Sequence, residues 1–388
     1  MKKTELLIIS SQVPFRGGMS TTAYNLSSSL GSWFDVTCIF FLSGPVQDCD
    51  PHNIGNVHTL KMPTTYKANR WFFRFLFLLS GKKVFNISGL NSRNFRSTIK
   101  EFLVIQSLNP KIVLCNVPLF FNDVDSIFPG KTVILLVNGC SNLNPLWKFG
   151  LDANTLLSEV NKVNGLNRIT PIRFPENLKG PVVFNSKLTR DIYNVIGFYS
   201  GPGIIKFSNI KPFSNEPINC FTERKYEIAF IISKFNRVEK NAQLALNIFC
   251  KFPHKQKLLV GEESYKYSYI PNTTFLGPVT QNEIQELLSN TKLVLITSYF
   301  DSSPGLLMES IWAGANVLIS ENVGWNECLP DGSVVLDYFN LNEWVQKANV
   351  LMKEKLDYSE YLSMIKDCGN GIIELIEEEQ KKSKGNNQ

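Results

Sequence analysis

Histidine is nearly absent from this chain. Only His52, His58 and His254 occur in 388 residues, and none flanks a glycine-rich loop at a strand end. General-base catalysis by histidine, the usual choice near neutral pH, therefore has no attractive candidate. The eight cysteines (Cys38, Cys49, Cys115, Cys140, Cys220, Cys250, Cys328 and Cys368) form no Cys-x-x-Cys and no Cys/His cluster of zinc spacing. Cys115, inside the apolar run 111–115, reads as a small buried hydrophobe, and reduced thiols point to a cytoplasmic setting. No apolar run reaches the length of about 20 residues that crosses a membrane. The basic start at Lys2 and Lys3 leads directly into a strand-like stretch, so no cleaved leader is expected. Neither a GxGxxG with a downstream acid nor a Walker loop is found, which argues against a dinucleotide or ATP site. The net charge of +6 is mild. It suits a phosphate-bearing substrate or an anionic membrane surface and is too weak to indicate nucleic acid.

What is present is an alternation of short apolar runs and helix-length segments. At 388 residues two domains are the natural division, and 44% hydrophobic with 19% charged residues is a globular composition. Strands are expected at 5–11, 34–42, 111–115, 131–137 and 181–184, with helices at about 92–108, 152–163 and 186–195. A second series follows, with strands at 226–232, 257–260, 273–277, 293–298, 317–320 and 333–336. Its helices fall at 239–251, 280–290 and 304–314, and the chain is mostly helical from about 340. Strands alternating with helices in each half imply an α/β chain of two Rossmann-like, doubly wound parallel-sheet domains facing each other across a cleft. The expected divisions are 1–207, a Pro-containing linker at 208–225, a second domain at 226–365, and a C-terminal helix and polar, frayed tail at 366–388 that packs back on the first domain.

The segment 293–320 concentrates the chemistry. It reads as strand, loop, helix, strand, with Asp301 in the loop and Glu309 on the helix. Loops at the carboxyl ends of parallel strands are where open α/β sheets bind ligands. Ser302 or Ser303 suits the cap of the helix, Pro304 its first turn, and Gly305 leaves the amides beyond it open to an anion. Side chains on a helix lean toward its N-terminus, so Glu309 reaches toward the same mouth. In the first half, the loop 12–18 ends in Gly17 and Gly18 just before a helix, a pair that admits a phosphate or sugar to the backbone. In the second, Lys234, Arg237 and Lys240 surround the loop after the first strand, and Lys240 at a helix start opposes the dipole unless it meets an anion. Read singly, each of these segments is equally well a glycine turn, a solvated surface lysine or an ordinary strand–helix–strand unit. The pairs Asp48/Asp50 and Asp123/Asp125 are weak metal candidates. Residues 67–83 carry five aromatic rings among Lys67, Arg70, Arg74, Lys82 and Lys83, a pattern that fits either a membrane interface or a helix packed in the first domain.

Taken in order, these segments resemble the GT-B glycosyltransferases, and most closely the retaining group called glycosyltransferase family 4. The resemblance rests on Gly17-Gly18, on Ser233-Lys234 with Lys240-Asn241, on the run 275–279, on Asp301 with Glu309 at the spacing of a Glu-x7-Glu signature, and on 310–329. It implies a metal-free hexosyl transfer with retention, from a UDP- or GDP-sugar to a hydroxyl of a glycan or lipid-linked glycan, in glycan or polysaccharide biosynthesis. No cofactor beyond the nucleotide diphosphate sugar co-substrate is implied. Lys234 and Lys240 would neutralise the diphosphate, with Ser233 beside them. The amides near Gly305, Leu306 and Leu307 would hold phosphate oxygens. Glu309 would bind the ribose and Asp301 the sugar hydroxyls. Gly17 and Gly18 would close from the opposite domain, and the base would lie near Gly277 to Val279. Three positions depart from the pattern. Asp301 stands for a glutamate, Lys234 for an arginine with its bidentate geometry, and Asn138 for a histidine. A nucleotide-sugar epimerase of the same fold and a catalytically weak sugar-nucleotide-binding relative remain the alternatives. The implied location is cytoplasmic, with peripheral contact to the inner face of a membrane.

Overall fold

The computed structural model describes residues 3–10, 23, 26–27, 30–43, 56–62, 110–116, 128, 130–138, 180–195, 199, 203–205 and 219–385. Two sheets organise them. The first holds β1 (Thr4–Ser10), β2 (Phe34–Ser43), β3 (Asn56–Met62), β4 (Ile112–Cys115), β5 (Thr132–Val137), β6 (Val182–Phe184) and β7 (Ile204–Ile205), in the order β3-β2-β1-β4-β5-β6-β7. The second holds β8 (Tyr226–Lys234), β9 (Lys257–Glu262), β10 (Thr273–Leu276), β11 (Thr291–Ile296), β12 (Asn316–Ser320) and β13 (Val334–Val335), in the order β10-β9-β8-β11-β12-β13. All pairings within them are parallel. Each sheet is thus doubly wound, as expected. The strand order reverses between β1 and β4 in one and between β8 and β11 in the other, which opens a crevice at those carboxyl ends.

The helices among the described residues are α1 (Lys187–Val195), α2 (Ala242–Cys250), α3 (Gln281–Ser289), α4 (Gly305–Trp312), α5 (Leu341–Leu351) and α6 (Ser359–Gly385). In β8 the even residues Ile228, Phe230 and Ile232 pack with Leu246, Phe249 and Trp344 on one face, while Ala229 meets Leu258 and Val260 on the other. Burial on both faces is why such strands read as unbroken apolar runs. Opposite α2 and α5, α4 supplies Leu307, Met308 and Ile311 to a layer with Val317, Ile319, Tyr361 and Ile365. The start of α3 is fixed by a capping box between Thr280 and Glu283.

Three features differ from expectation. The polar stretch around His58 is the edge strand β3, in register with β2 so that His58 lies opposite Ile39. Edge strands pair on one side only and tolerate polar residues, so hydropathy did not reveal it. The two-residue β7 at the opposite edge was too short to read. The expected frayed tail, 377–388, is largely helix: α6 runs to Gly385, with Glu379 only 7% exposed and bonded to Lys382 Nζ at 2.6 Å. This helix spans both cores. Tyr361 and Ile365 pack in the second domain, whereas Ile372, Leu375 and Ile376 pack with Leu6 and Ile8 of β1. The expected helices 92–108 and 152–163, the segment 67–83 and linker residues 208–218 lie outside the described residues.

The end of the linker is tightly held. Arg224, only 4% exposed, donates to the carbonyls of Thr291 (2.7 Å) and Ala313 (2.9 Å) and, through Nε, to that of Asn219 (3.3 Å). One guanidinium therefore joins the linker to the start of β11 and the end of α4. Arg224→Met keeps the apolar stem but leaves these carbonyls without their charged donor, and we expect a loss of about 2–4 kcal/mol in urea unfolding of the second domain. An unchanged midpoint would show that water replaces the guanidinium at no cost.

Candidate functional site

The crevice at the switch point of the second sheet contains an open pocket of about 530 Å³, a volume that includes its mouth. Its walls are the carboxyl ends of β8 (Phe230 to Ser233) and β11 (Leu295 to Ser298), the loop residues Arg237, Lys240 and Asp301, and the start of α4 at Pro304, Gly305 and Leu306. The structure thus gathers Ser233, Lys240, Asp301, Gly305 and Leu306 around one cavity.

The position of Lys240 follows from its neighbours. It ends a short 3-10 turn (Val238–Lys240), and Asn241 then adopts a left-handed conformation (φ 44°) and caps α2. Thr297 Oγ1 donates to the carbonyls of Lys240 (3.1 Å) and Asn241 (3.0 Å). The Tyr338 hydroxyl donates to the carbonyl of Thr297 (2.9 Å) and accepts from the Asn241 amide. Burial raises the Tyr338 phenol above its ordinary pKa, so it remains a donor. The Lys240 ammonium is ion-paired to Asp301 Oδ2. Asp301 is fixed from the other side, where its N–H donates to Asn322 (3.1 Å) and its carbonyl accepts from Gly324 (2.8 Å). A carboxylate from the β11 loop and an ammonium from the β8 loop therefore meet across the crevice.

Neither serine caps α4, which corrects the sequence expectation. The N-cap is Pro304 in an extended conformation, with no side-chain cap. Ser303 instead accepts from Trp325 Nε1 (3.1 Å), and Ser302 bonds to the first domain. The helix start that lines the pocket is left without a competing side-chain acceptor, which suits an anion. Leu307 is fully buried and its N–H donates to the Pro304 carbonyl (3.0 Å), so of the three expected amides only those of Gly305 and Leu306 belong to residues that line the pocket.

The other expected site residues lie around this centre. Lys234 pairs with Glu262 at 2.8 Å and is not part of the pocket wall, whereas Arg237 is, with Nη2 2.7 Å from Glu239 Oε1. Arg237 stood among the lysines in the sequence, and only its position in the loop could have singled it out. Glu309 accepts from Gln281 Nε2 at 2.7 Å, two residues beyond Val279, which sets it beside the loop from Gly277 to Val279. A Cβ on Gly277 would meet nothing within 4 Å, so that loop has open space above it. Asn138, at the end of β5, donates its amide to Asn116 Oδ1. Gly17, Gly18, Asp48, Asp50, Asp123 and Asp125 lie outside the described residues.

Two outcomes are expected from this geometry. Tyr338→Phe removes the donor to Thr297 and strips the Asn241 amide of its acceptor, at a cost of about 1–2 kcal/mol in chemical denaturation. In a double-mutant cycle, Lys240→Met and Asp301→Asn should couple by about 1–3 kcal/mol, because the pair is only 22% and 13% exposed. Additive effects would show that the pair contributes nothing to the fold.

No protein-family model matches the chain, and no curated protein matches it. Among solved structures it is similar to a sucrose-phosphate synthase from Thermosynechococcus elongatus, with a TM-score of 0.64 and 13% identity over 97% of this chain and 99% of that one. It is also similar to a glycosyltransferase from Rickettsia africae, with a TM-score of 0.62 and 12% identity over 98% and 100% of the two chains. Anabaena HepE, solved in complex with UDP-glucose, gives a TM-score of 0.58 at 12% identity over 98% and 99%. These relationships cover both domains and their connection, and the chain has the GT-B fold.

Proposed function

We propose that this protein is a glycosyltransferase that moves a hexose-type sugar from a UDP- or GDP-sugar to an acceptor hydroxyl in glycan or polysaccharide biosynthesis, with retention at the anomeric carbon. The observation that carries the reading is the pocket at the second switch point, where Lys240, Arg237, Asp301 and the uncapped start of α4 converge. The nucleotide complexes of similar structures support the donor class, since HepE is solved with UDP-glucose and TarM with UDP.

In this reading the diphosphate lies against α4 at Gly305 and Leu306 and is approached by Lys240 and Arg237. The acceptor oxygen bonds to the anomeric carbon as the bond from that carbon to the phosphate oxygen breaks. The departing phosphate oxygen takes the acceptor proton, so no histidine base is required. Cations and amides aimed at the leaving group stabilise charge as it develops there. Asp301 exchanges its bond to Lys240 for sugar hydroxyls when the diphosphate claims the ammonium. Glu309, beside the 277–279 loop, holds the ribose. The acceptor is a glycan or lipid-linked glycan, and residues 67–83 supply peripheral contact with the cytoplasmic face of a membrane that carries it.

A panel of nucleotide sugars tested by thermal shift reads this directly. Saturation at 100 times Kd stabilises the native state by about 2.7 kcal/mol, which raises the melting temperature by several degrees for the matching donor. No shift with any UDP- or GDP-sugar would overturn the reading. Glu309→Ala should weaken binding of the donor about 10- to 100-fold. Product analysis of the donor incubated alone separates hydrolysis or transfer from epimerisation, and an epimerised sugar would replace the proposal.

A further inference from the structure

Ser302 stands one residue after Asp301 and two before Pro304, yet its side chain bonds to the other domain. Its hydroxyl donates to the carbonyl of Asn138 (3.0 Å), just past β5, and accepts from Asn185 Nδ2 (3.2 Å), just past β6. The contact continues inward. Asn185 Oδ1 accepts from Thr189 Oγ1 (3.1 Å), and Thr189 and Ser186 share a hydrogen bond of 2.8 Å at the start of α1. The Asn138 amide carries the chain on to Asn116. Ser302 is 8% exposed, Asn185 5%, and Asn116, Ser186 and Thr189 0%. Close approach depends on a glycine: a Cβ on Gly324 would lie 2.0 Å from the Ser302 carbonyl oxygen and 2.6 Å from Ser186 Oγ.

The chemistry of this contact suits repeated making and breaking. Every member is a neutral polar group, so each regains water when the domains separate and the net gain on closing is modest. An apolar contact in the same place would hold the domains together or leave a sticky surface once parted. The loop that bears Ser302 also bears Asp301 and leads into Gly305, so its position is set jointly by the donor pocket and by the first domain.

We propose that Ser302 is the positioning residue that joins the two crevices. Its hydroxyl bonds fix the Asp301 loop in transfer geometry only when the domains are closed, and closure excludes water from the reaction. The identity of the transferred group rests on the glycosyl-transfer reading above, whereas the clasp itself rests on Ser302, Asn138 and Asn185.

The test compares wild type with Ser302→Ala, Asn185→Ala and Gly324→Ala, by small-angle scattering and by kinetics with the donor found in the nucleotide-sugar panel. All three substitutions should enlarge the radius of gyration of the unliganded protein. Ser302→Ala should lower turnover about tenfold with the donor dissociation constant changed less than threefold, and Asn185→Ala should match it. A role in stability alone would lower the melting temperature without this split. Wild-type turnover and an unchanged radius in Ser302→Ala and Gly324→Ala would overturn the proposal. If no nucleotide sugar binds the wild type, the glycosyl-transfer reading fails, and the scattering comparison still decides the clasp.

Discussion

The ion pair between Lys240 and Asp301 joins the loops on which the second domain's crevice is built. It spans the one place where the strand order reverses, between β8 and β11. Topology alone opens a gap there, because neighbouring connections leave in opposite directions. The two loops are also tied by contacts to the backbone, from Thr297 Oγ1 to the Lys240 and Asn241 carbonyls and from the Tyr299 N–H to the Glu239 carbonyl (2.9 Å). The ion pair is the link between side chains among them that lines the pocket. The supports behind the pair are neutral hydrogen bonds to the backbone on either side. Thr297 and Tyr338 hold the Lys240 side, and Asn322 and Gly324 hold the Asp301 side. The ionic contact can therefore exchange partners while the backbone that carries it stays in place.

In the glycosyl-transfer reading, that exchange sets the electrostatics of binding. In the pocket wall Lys240 faces Asp301 and Arg237 faces Glu239, so each cation already has a carboxylate. Local charge is close to balanced, and a dianionic ligand gains less than it would from bare cations. It gains specificity in return, since only a ligand that offers Asp301 replacement donors can take the ammonium without stranding the carboxylate. A sugar hydroxyl beside a diphosphate meets that condition, and a bare phosphate does not. The start of α4, which has no side-chain cap, adds its positive end to the pocket.

Much of this was legible in the sequence. The apolar runs gave nearly all strands of both sheets, because strands buried on two faces need continuous hydrophobicity. Glycine, proline and acid placement located the β11–α4 loop. What escaped were elements whose stability comes from context. The edge strand β3 is polar because only one neighbour requires it to pair. The final turns of α6, 377–385, read as polar tail, whereas the burial of Leu375 and Ile376 just before them agrees with a C-terminal helix packing back on the first domain. The serines beside Asp301 fit a helix cap locally, and the fold instead directs Ser302 to Asn138 and Asn185, contacts with sequence separations of 164 and 117. No local pattern can encode such a choice. Pairing was equally hidden: composition shows Lys234, Arg237 and Lys240 as interchangeable cations, while geometry assigns Lys234 to Glu262 outside the pocket.

Among the described residues, two of the connections between the domains differ in chemistry, which separates their roles. Helix α6 buries Tyr361 and Ile365 in one core and Ile372, Leu375 and Ile376 in the other, so parting it from either domain would expose apolar surface. The contact at Ser302 is polar throughout and opens to water at little cost. The first keeps the halves aligned, and the second is free of the apolar surface that would resist their parting. Gly369 and Gly371 lie on α6 between Ile365 and Ile372, the flanking residues anchored in different cores. Glycine inside a helix costs about 1 kcal/mol relative to alanine. The two glycines therefore weaken α6 between its two anchored stretches.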